Sequence, residues 1–113
     1  METLEPEPQG GEGTYCVASP AADIKEGILY CRSVGGKKIM LTRYKGVCVA
    51  YDNRCTHAGG PLCAGKIVEG SVECPWHGAR YDLADGKAVK LPAQMDMRAY
   101  AVRERNGNIE VRI

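Results

Sequence analysis

The sequence predicts a mostly β fold: a small antiparallel β-domain whose middle is interrupted by a loop-rich, ligand-bearing insert. Three observations point there. Short β-type runs recur between glycine-rich turns, and no window long enough for a helix shows apolar residues at helical spacing. The segment from Cys55 to Gly78, CTHAGGPLCAGKIVEGSVECPWHG, breaks that pattern while holding both histidines, the only tryptophan and three of the six cysteines.

At 113 residues the chain reads as one domain, with 44% hydrophobic and 26% charged residues, ordinary values for a globular protein. Fifteen basic and 14 acidic side chains give a net charge of +1, and the basic ones are scattered, so nucleic-acid binding is not expected. The N-terminus METLEPEPQGGEGT lacks the basic and apolar regions of a secretory signal, and the longest apolar run, Val47 to Tyr51, is far short of the roughly 20 residues that span a bilayer. A soluble cytoplasmic protein with no membrane partner is expected. There, clustered thiols stay reduced and serve metals or redox chemistry.

Residues 1–13 carry four acids and no basic residue, together with prolines and glycines, and read as a disordered acidic tail. Four of the 14 acids lie in that tail, so the folded body, 14–113, carries 15 basic against 10 acidic side chains, a balance of +5. β-Type runs follow at Tyr15 to Ala18, Ile28 to Val34, Lys38 to Arg43 and Val47 to Asp52, separated by Gly35-Gly36 and Tyr44-Lys45-Gly46. Ala21 to Gly27 has room for one helical turn. Alternation across Ile39, Met40, Leu41, Thr42 and Arg43 is imperfect, which leaves the faces of that strand open. After the insert, at about 54–84, Arg80 to Leu83 leads into a hairpin turn at Asp85-Gly86. Arg98 to Glu104 is joined to Ile109 to Ile113 through Asn106-Gly107, a strong hairpin signal.

Within the insert Cys55 and His57 form C-x-H, Cys74 and His77 form C-x-x-H, and 16 residues separate His57 from Cys74. Two thiolates and two imidazoles complete either a tetrahedral zinc site or a 2Fe-2S cluster in which histidines replace two cysteines on one iron. Ligand chemistry alone leaves both open.

The flanking residues give CTHAGGPL and CPWHGARYD, with Thr56, Gly59, Gly60, Pro61 and Leu62 after the first pair and Pro75, Trp76, Gly78 and Asp82 around the second. In these loops the chain closely resembles the Rieske family, in particular its low-potential soluble ferredoxins and related small redox subunits. The likeness is strong over the loops and looser over the β pattern from about Tyr15 to Ile113. It implies a β-sandwich or barrel-like domain with a cluster-binding insert, and one Rieske 2Fe-2S cluster. Cys55 and Cys74 would bind one iron as thiolates, and His57 and His77 the other through neutral imidazoles at the protein tip. Replacing two thiolates by imidazoles makes the centre less negative, and Rieske potentials run from roughly −150 to +300 mV against about −400 mV for plant-type clusters. Gly59, Gly60 and Gly78 would let backbone N–H groups approach the sulfurs, and Trp76 would cover one side of the cluster.

The family's high-potential branch clamps its two loops with a disulfide. The corresponding positions here are Gly60 and Trp76, so that clamp cannot form. A serine and a tyrosine that donate to cluster sulfur in that branch correspond to Ala79 and Tyr81, so one donor is missing and Tyr81 is the candidate for the other. A potential in the lower part of the range is expected. Cys16, Cys31 and Cys48 read as small buried hydrophobes, and Cys63, in the cluster loop, as a bystander whose alternatives are stray oxidation or a substitute ligand. Tyr44, Tyr51 and Tyr100 read as sheet-packing residues. Lys37, Lys38, Arg43 and Lys45 gather around one hairpin, either to dock a partner or as edge-strand protection.

The resemblance implies a monomeric one-electron carrier, not itself an enzyme, between a flavin reductase and a terminal oxygenase. The alternatives are a small Rieske subunit of a larger oxidoreductase such as NAD(P)H nitrite reductase, with that reductase's large subunit as its partner, and a zinc-stabilised interaction module.

Overall fold

The computed structural model describes residues 14–56, 59–93 and 95–113. The expected acidic tail, 1–13, lies outside the described residues, as does His57. In chain order the elements are β1 (Tyr15–Pro20), a 3-10 turn (Ala21–Asp23), β2 (Tyr30–Val34), β3 (Lys37–Tyr44), β4 (Val47–Asp52), a second 3-10 turn (Leu62–Ala64), β5 (Lys66–Val68), β6 (Ser71–Glu73), β7 (Arg80–Asp82), β8 (Ala88–Lys90), β9 (Ala99–Tyr100), β10 (Val102–Arg105) and β11 (Asn108–Arg112). Among the described residues no helix is long and apolar enough to cross a membrane.

The strands form three antiparallel sheets, ordered β1-β11-β10, β2-β3-β4-β9 and β5-β6-β7-β8. The first two pack face to face over Val34, Ile39, Leu41, Ala50, Ile109 and Val111, all buried. The third lies over the opposite face of β3 and β4, and its core takes in Met40 and Tyr51 from below with Leu62, Val72, Tyr81 and Leu83 from above. β3 is therefore covered on both faces. Ile39 and Leu41 enter one core and Met40 the other, which is why apolar residues run through this strand without alternating.

Four expectations need correction. Arg98 to Glu104 is not one strand: the chain breaks at Ala101, β9 pairing with β4 in one sheet and β10 with β11 in another. The insert is less loop-like than expected, because β5 and β6 form a hairpin around Glu69 and Gly70, whose positive φ values of 51° and 79° make a tight turn without Asn-Gly. β3 is an interior strand, so its basic residues protect no edge. Arg43 instead donates to the carbonyls of Ile24 (2.9 Å) and Ala21 (3.2 Å), tying the first 3-10 turn to the sheet. Finally, Cys31 and Cys63 are neither buried hydrophobe nor bystander but a disulfide pair. Asn53 Oδ1 accepts from the Cys63 N–H (2.7 Å) and sets the second 3-10 turn beside β2. Cys31 is exposed there, and the two Cα atoms stand 5.4 Å apart, within disulfide reach. Cys48 is buried as expected, and Cys16 half-buried.

Tyr51 does more than pack. Its hydroxyl donates to the Leu83 carbonyl (2.9 Å) across the boundary between the lower layers and the upper sheet. A Cβ on Gly86 would stand 2.8 Å from the Tyr51 ring, so the β7–β8 turn closes over that ring only because residue 86 has no side chain.

Candidate metal centre

Two loops rise from the upper part of the molecule, one after β4 and one between β6 and β7, and they share a hydrogen-bond frame. In the first, the Cys55 N–H donates to the Gly60 carbonyl (2.8 Å) and the Gly59 N–H returns to the Cys55 carbonyl (2.7 Å). In the second, the Cys74 N–H donates to the Ala79 carbonyl (2.8 Å) and the Gly78 N–H returns to the Cys74 carbonyl (3.2 Å). The return bond requires a left-handed residue, and Gly59 and Gly78 supply it at φ 78° and 77°. These glycine N–H groups therefore close the loops on carbonyl oxygen. Sulfur is served by the Trp76 and His77 N–H groups, which point at Cys74 and favour its thiolate.

The matched loops bring Cys55 and Cys74 together. Both are 1% exposed, both are free of disulfides, and their thiols lie in hydrogen-bonding reach of each other. Burial first, and then the neighbouring Cys55 thiol, push the Cys74 thiol upward against the pull of the two N–H donors. Two buried thiols side by side are well matched to a cation that displaces their protons. Gly60 keeps the space between the loops open: a Cβ there would stand 3.2 Å from Cys74 Sγ and 2.9 Å from the Trp76 ring. Trp76 lays its ring on Gly60 but leaves 54% of its surface exposed, so it walls the site only in part. Pro75 and His77 are exposed on the same rim.

Tyr81, fully buried on β7, reaches up with its hydroxyl 3.1 Å from Cys55 Sγ and 2.9 Å from Thr56 Oγ1. Thr56 in turn donates to the Met95 carbonyl (2.7 Å). The family resemblance pointed to Tyr81, four residues past His77. It gave no sign of Thr56 as a contact, because the partner is a backbone oxygen on a distant loop. Asp82 closes the β7–β8 hairpin, accepting from the Ala84 N–H through its side chain (2.7 Å) and from the Gly86 N–H through its carbonyl (2.7 Å). Among the described residues no three metal-capable side chains gather, and the structure brings together the cysteine half of the expected ligand set.

Two buried thiols on matched loops above a β-sandwich have the chemistry of a metal–thiolate centre carried by a small β-scaffold. The model of the Rieske [2Fe-2S] domain matches residues 14–101, and the chain belongs to that family. It is 34% identical over 91 residues to the ferredoxin component of the naphthalene 1,2-dioxygenase/salicylate 5-hydroxylase systems of Ralstonia sp, covering 80% of this chain and 88% of that protein. It is 37% identical over 76 residues to the 3-phenylpropionate/cinnamic acid dioxygenase ferredoxin subunit of Photorhabdus laumondii, covering 66% and 72%. Among solved structures it superposes on the ferredoxin of carbazole 1,9a-dioxygenase from Nocardioides aromaticivorans with a TM-score of 0.81 and 30% identity, over 87% of this chain and 96% of that one. The cofactor is one Rieske 2Fe-2S cluster, and the zinc-module alternative falls with that assignment. The soft, unbridged thiol pair and the room left by Gly60 fit such a group.

Proposed function

We propose that the chain is a one-electron carrier that takes an electron from a flavin reductase and delivers it, as a monomer, to a terminal oxygenase. The observation that carries this reading is the asymmetry of the site, with Cys55 and Cys74 sealed at 1% exposure while His77, Pro75 and Trp76 form an exposed rim. Relatives named as ferredoxin components of dioxygenase systems support the choice of acceptor.

Cys55 and Cys74 would hold one iron as thiolates, and His57 and His77 the other. The bound cluster supplies a centre that gains and loses one electron without substrate chemistry. The remaining roles belong to the protein. The Trp76 and His77 N–H groups stabilise the Cys74 thiolate, Gly60 leaves room between the loops, and Tyr81 offers a proton to Cys55 sulfur. The His77 rim sets the point of contact with partners, and no catalytic residue is assigned.

The test is paramagnetic resonance of the dithionite-reduced protein with iron and acid-labile sulfide content. An average g well below that of all-cysteine clusters is expected, with two irons and two sulfides per chain, and its loss in Cys74→Ser and His77→Ala with retained β-sheet circular dichroism. A Cys74→Ser protein that kept the wild-type spectrum would refute the ligand assignment.

A further inference from the structure

We infer that Thr56 is a positioning residue that sets the electron affinity of the centre by competing with Cys55 sulfur for the single hydroxyl proton of Tyr81. This rests on the reading above that Cys55 is a cluster ligand.

The inference follows from counting protons. Thr56 Oγ1 lies 2.7 Å from the Met95 carbonyl, which can only accept, so the threonine proton is committed there. Toward Tyr81, 2.9 Å away, Thr56 is then an acceptor. Cys55 Sγ, 3.1 Å from the same phenol, carries a proton when free and could donate to it. As a thiolate ligand it has none and can only accept. One Tyr81 proton therefore faces both Thr56 Oγ1 and Cys55 Sγ as acceptors, on a side chain with 0% exposure.

The competition bears on electron transfer because the acceptors differ in charge. The sulfur becomes more negative when the centre takes an electron, while the threonine oxygen stays neutral. A proton given to sulfur stabilises the reduced state, and one held by Thr56 does not. Thr56 thus withholds part of the stabilisation that Tyr81 could provide. The Thr56 bond to Met95 also links this balance to a loop at the surface, where Met95 is 68% exposed, so a displacement of that loop would reach the sulfur through two hydrogen bonds.

The experiment measures midpoint potentials of the reconstituted protein and the variants Thr56→Val, Thr56→Ser, Tyr81→Phe and Thr56→Val/Tyr81→Phe, each with its resonance spectrum. Tyr81→Phe is expected to lower the potential, Thr56→Val to raise it, and Thr56→Ser to hold it. In the Tyr81→Phe background, Thr56→Val is expected to do nothing. A Thr56→Val potential at or below wild type overturns the proposal. So does an equal rise with and without Tyr81, which would mark a general loop effect, or a shifted Thr56→Ser, which keeps the question decidable if the valine variant does not take up iron. Absence of the mixed-ligand spectrum in the wild-type protein would instead refute the underlying assignment of Cys55.

Discussion

Between the two lower sheets, Ile39, Leu41, Ala50, Ile109 and Val111 fill the space with side chains that carry no chemistry, whereas over the other face of β3 and β4 the core includes Cys55, Cys74 and Tyr81. The lower layers hold themselves together. β3 and β4 pair from Ile39↔Asp52 to Tyr44↔Val47, and β1 pairs along β11. The upper sheet is made of three-residue strands, too short for much ladder bonding, and it depends on what joins it to the rest. Those joints are the Cys31–Cys63 disulfide, the Tyr51 hydroxyl on Leu83 and the Met97 N–H on the Gly86 carbonyl (2.7 Å). A stable layer thus supports a second one that is cross-linked to it.

Cutting the joint should have the largest effect. The disulfide spans a sequence separation of 32, and on the chain-entropy account its removal in Cys31→Ser/Cys63→Ser costs about 4 kcal/mol. Urea unfolding of the variant against the oxidised protein reads this directly, and an unchanged midpoint would mean that packing alone joins the layers. Ile39→Ala empties a fully buried position in the lower core and is expected to cost about 3 kcal/mol while leaving the resonance spectrum untouched. A changed spectrum would show that the two cores are coupled.

Gly65→Ala tests the upper layer by itself. A Cβ there collides with the Glu73 carbonyl oxygen, so β5 must move off β6, at about 2 kcal/mol and with faster loss of iron on dilution into chelator. Tyr51→Phe is the mildest, expected at about 1 kcal/mol from the unpaired Leu83 carbonyl. It also changes the response to alkali. Burial, and then Asp85 and Asp82, push the Tyr51 hydroxyl from 10.0 up to about 12. The folded state therefore holds its proton more tightly than the unfolded chain. The resulting stabilisation is complete below pH 10 and is lost as pH rises from 10 through 12. Melting temperatures across that interval should fall in the wild type and fall less in Tyr51→Phe.

Much of the lower layers was legible. β2, β3 and β4 lie in runs of β-type residues bounded by Gly35-Gly36 and Lys45-Gly46, and the β10–β11 hairpin turns on Asn106-Gly107. At the site, residue type and spacing pointed to Cys55 and Cys74, and the family resemblance to Tyr81, before any contact was known. What stayed hidden depends on long-range placement. Three-residue strands such as β5 and β8 are shorter than any period can reveal, and Glu69 adopts a left-handed turn usually advertised by Asn. The break at Ala101 arises because two different sheets claim its neighbours. The pairing of Cys31 with Cys63 needs the second 3-10 turn to descend on β2, which no local pattern records.

The disulfide also imposes a sequence of events on maturation. Cys63 follows Cys55 in the same loop, yet the chain holds one sulfur oxidised and the other available for metal. Cys55 and Cys74 stay thiols beside that bridge, so an oxidant meeting the empty protein has further sulfurs to attack, whereas thiolates holding iron would be withdrawn from exchange. Installing the metal first and oxidising second is expected to give one product. The reverse order gives a mixture, which disulfide mapping by mass spectrometry of protein matured either way would resolve.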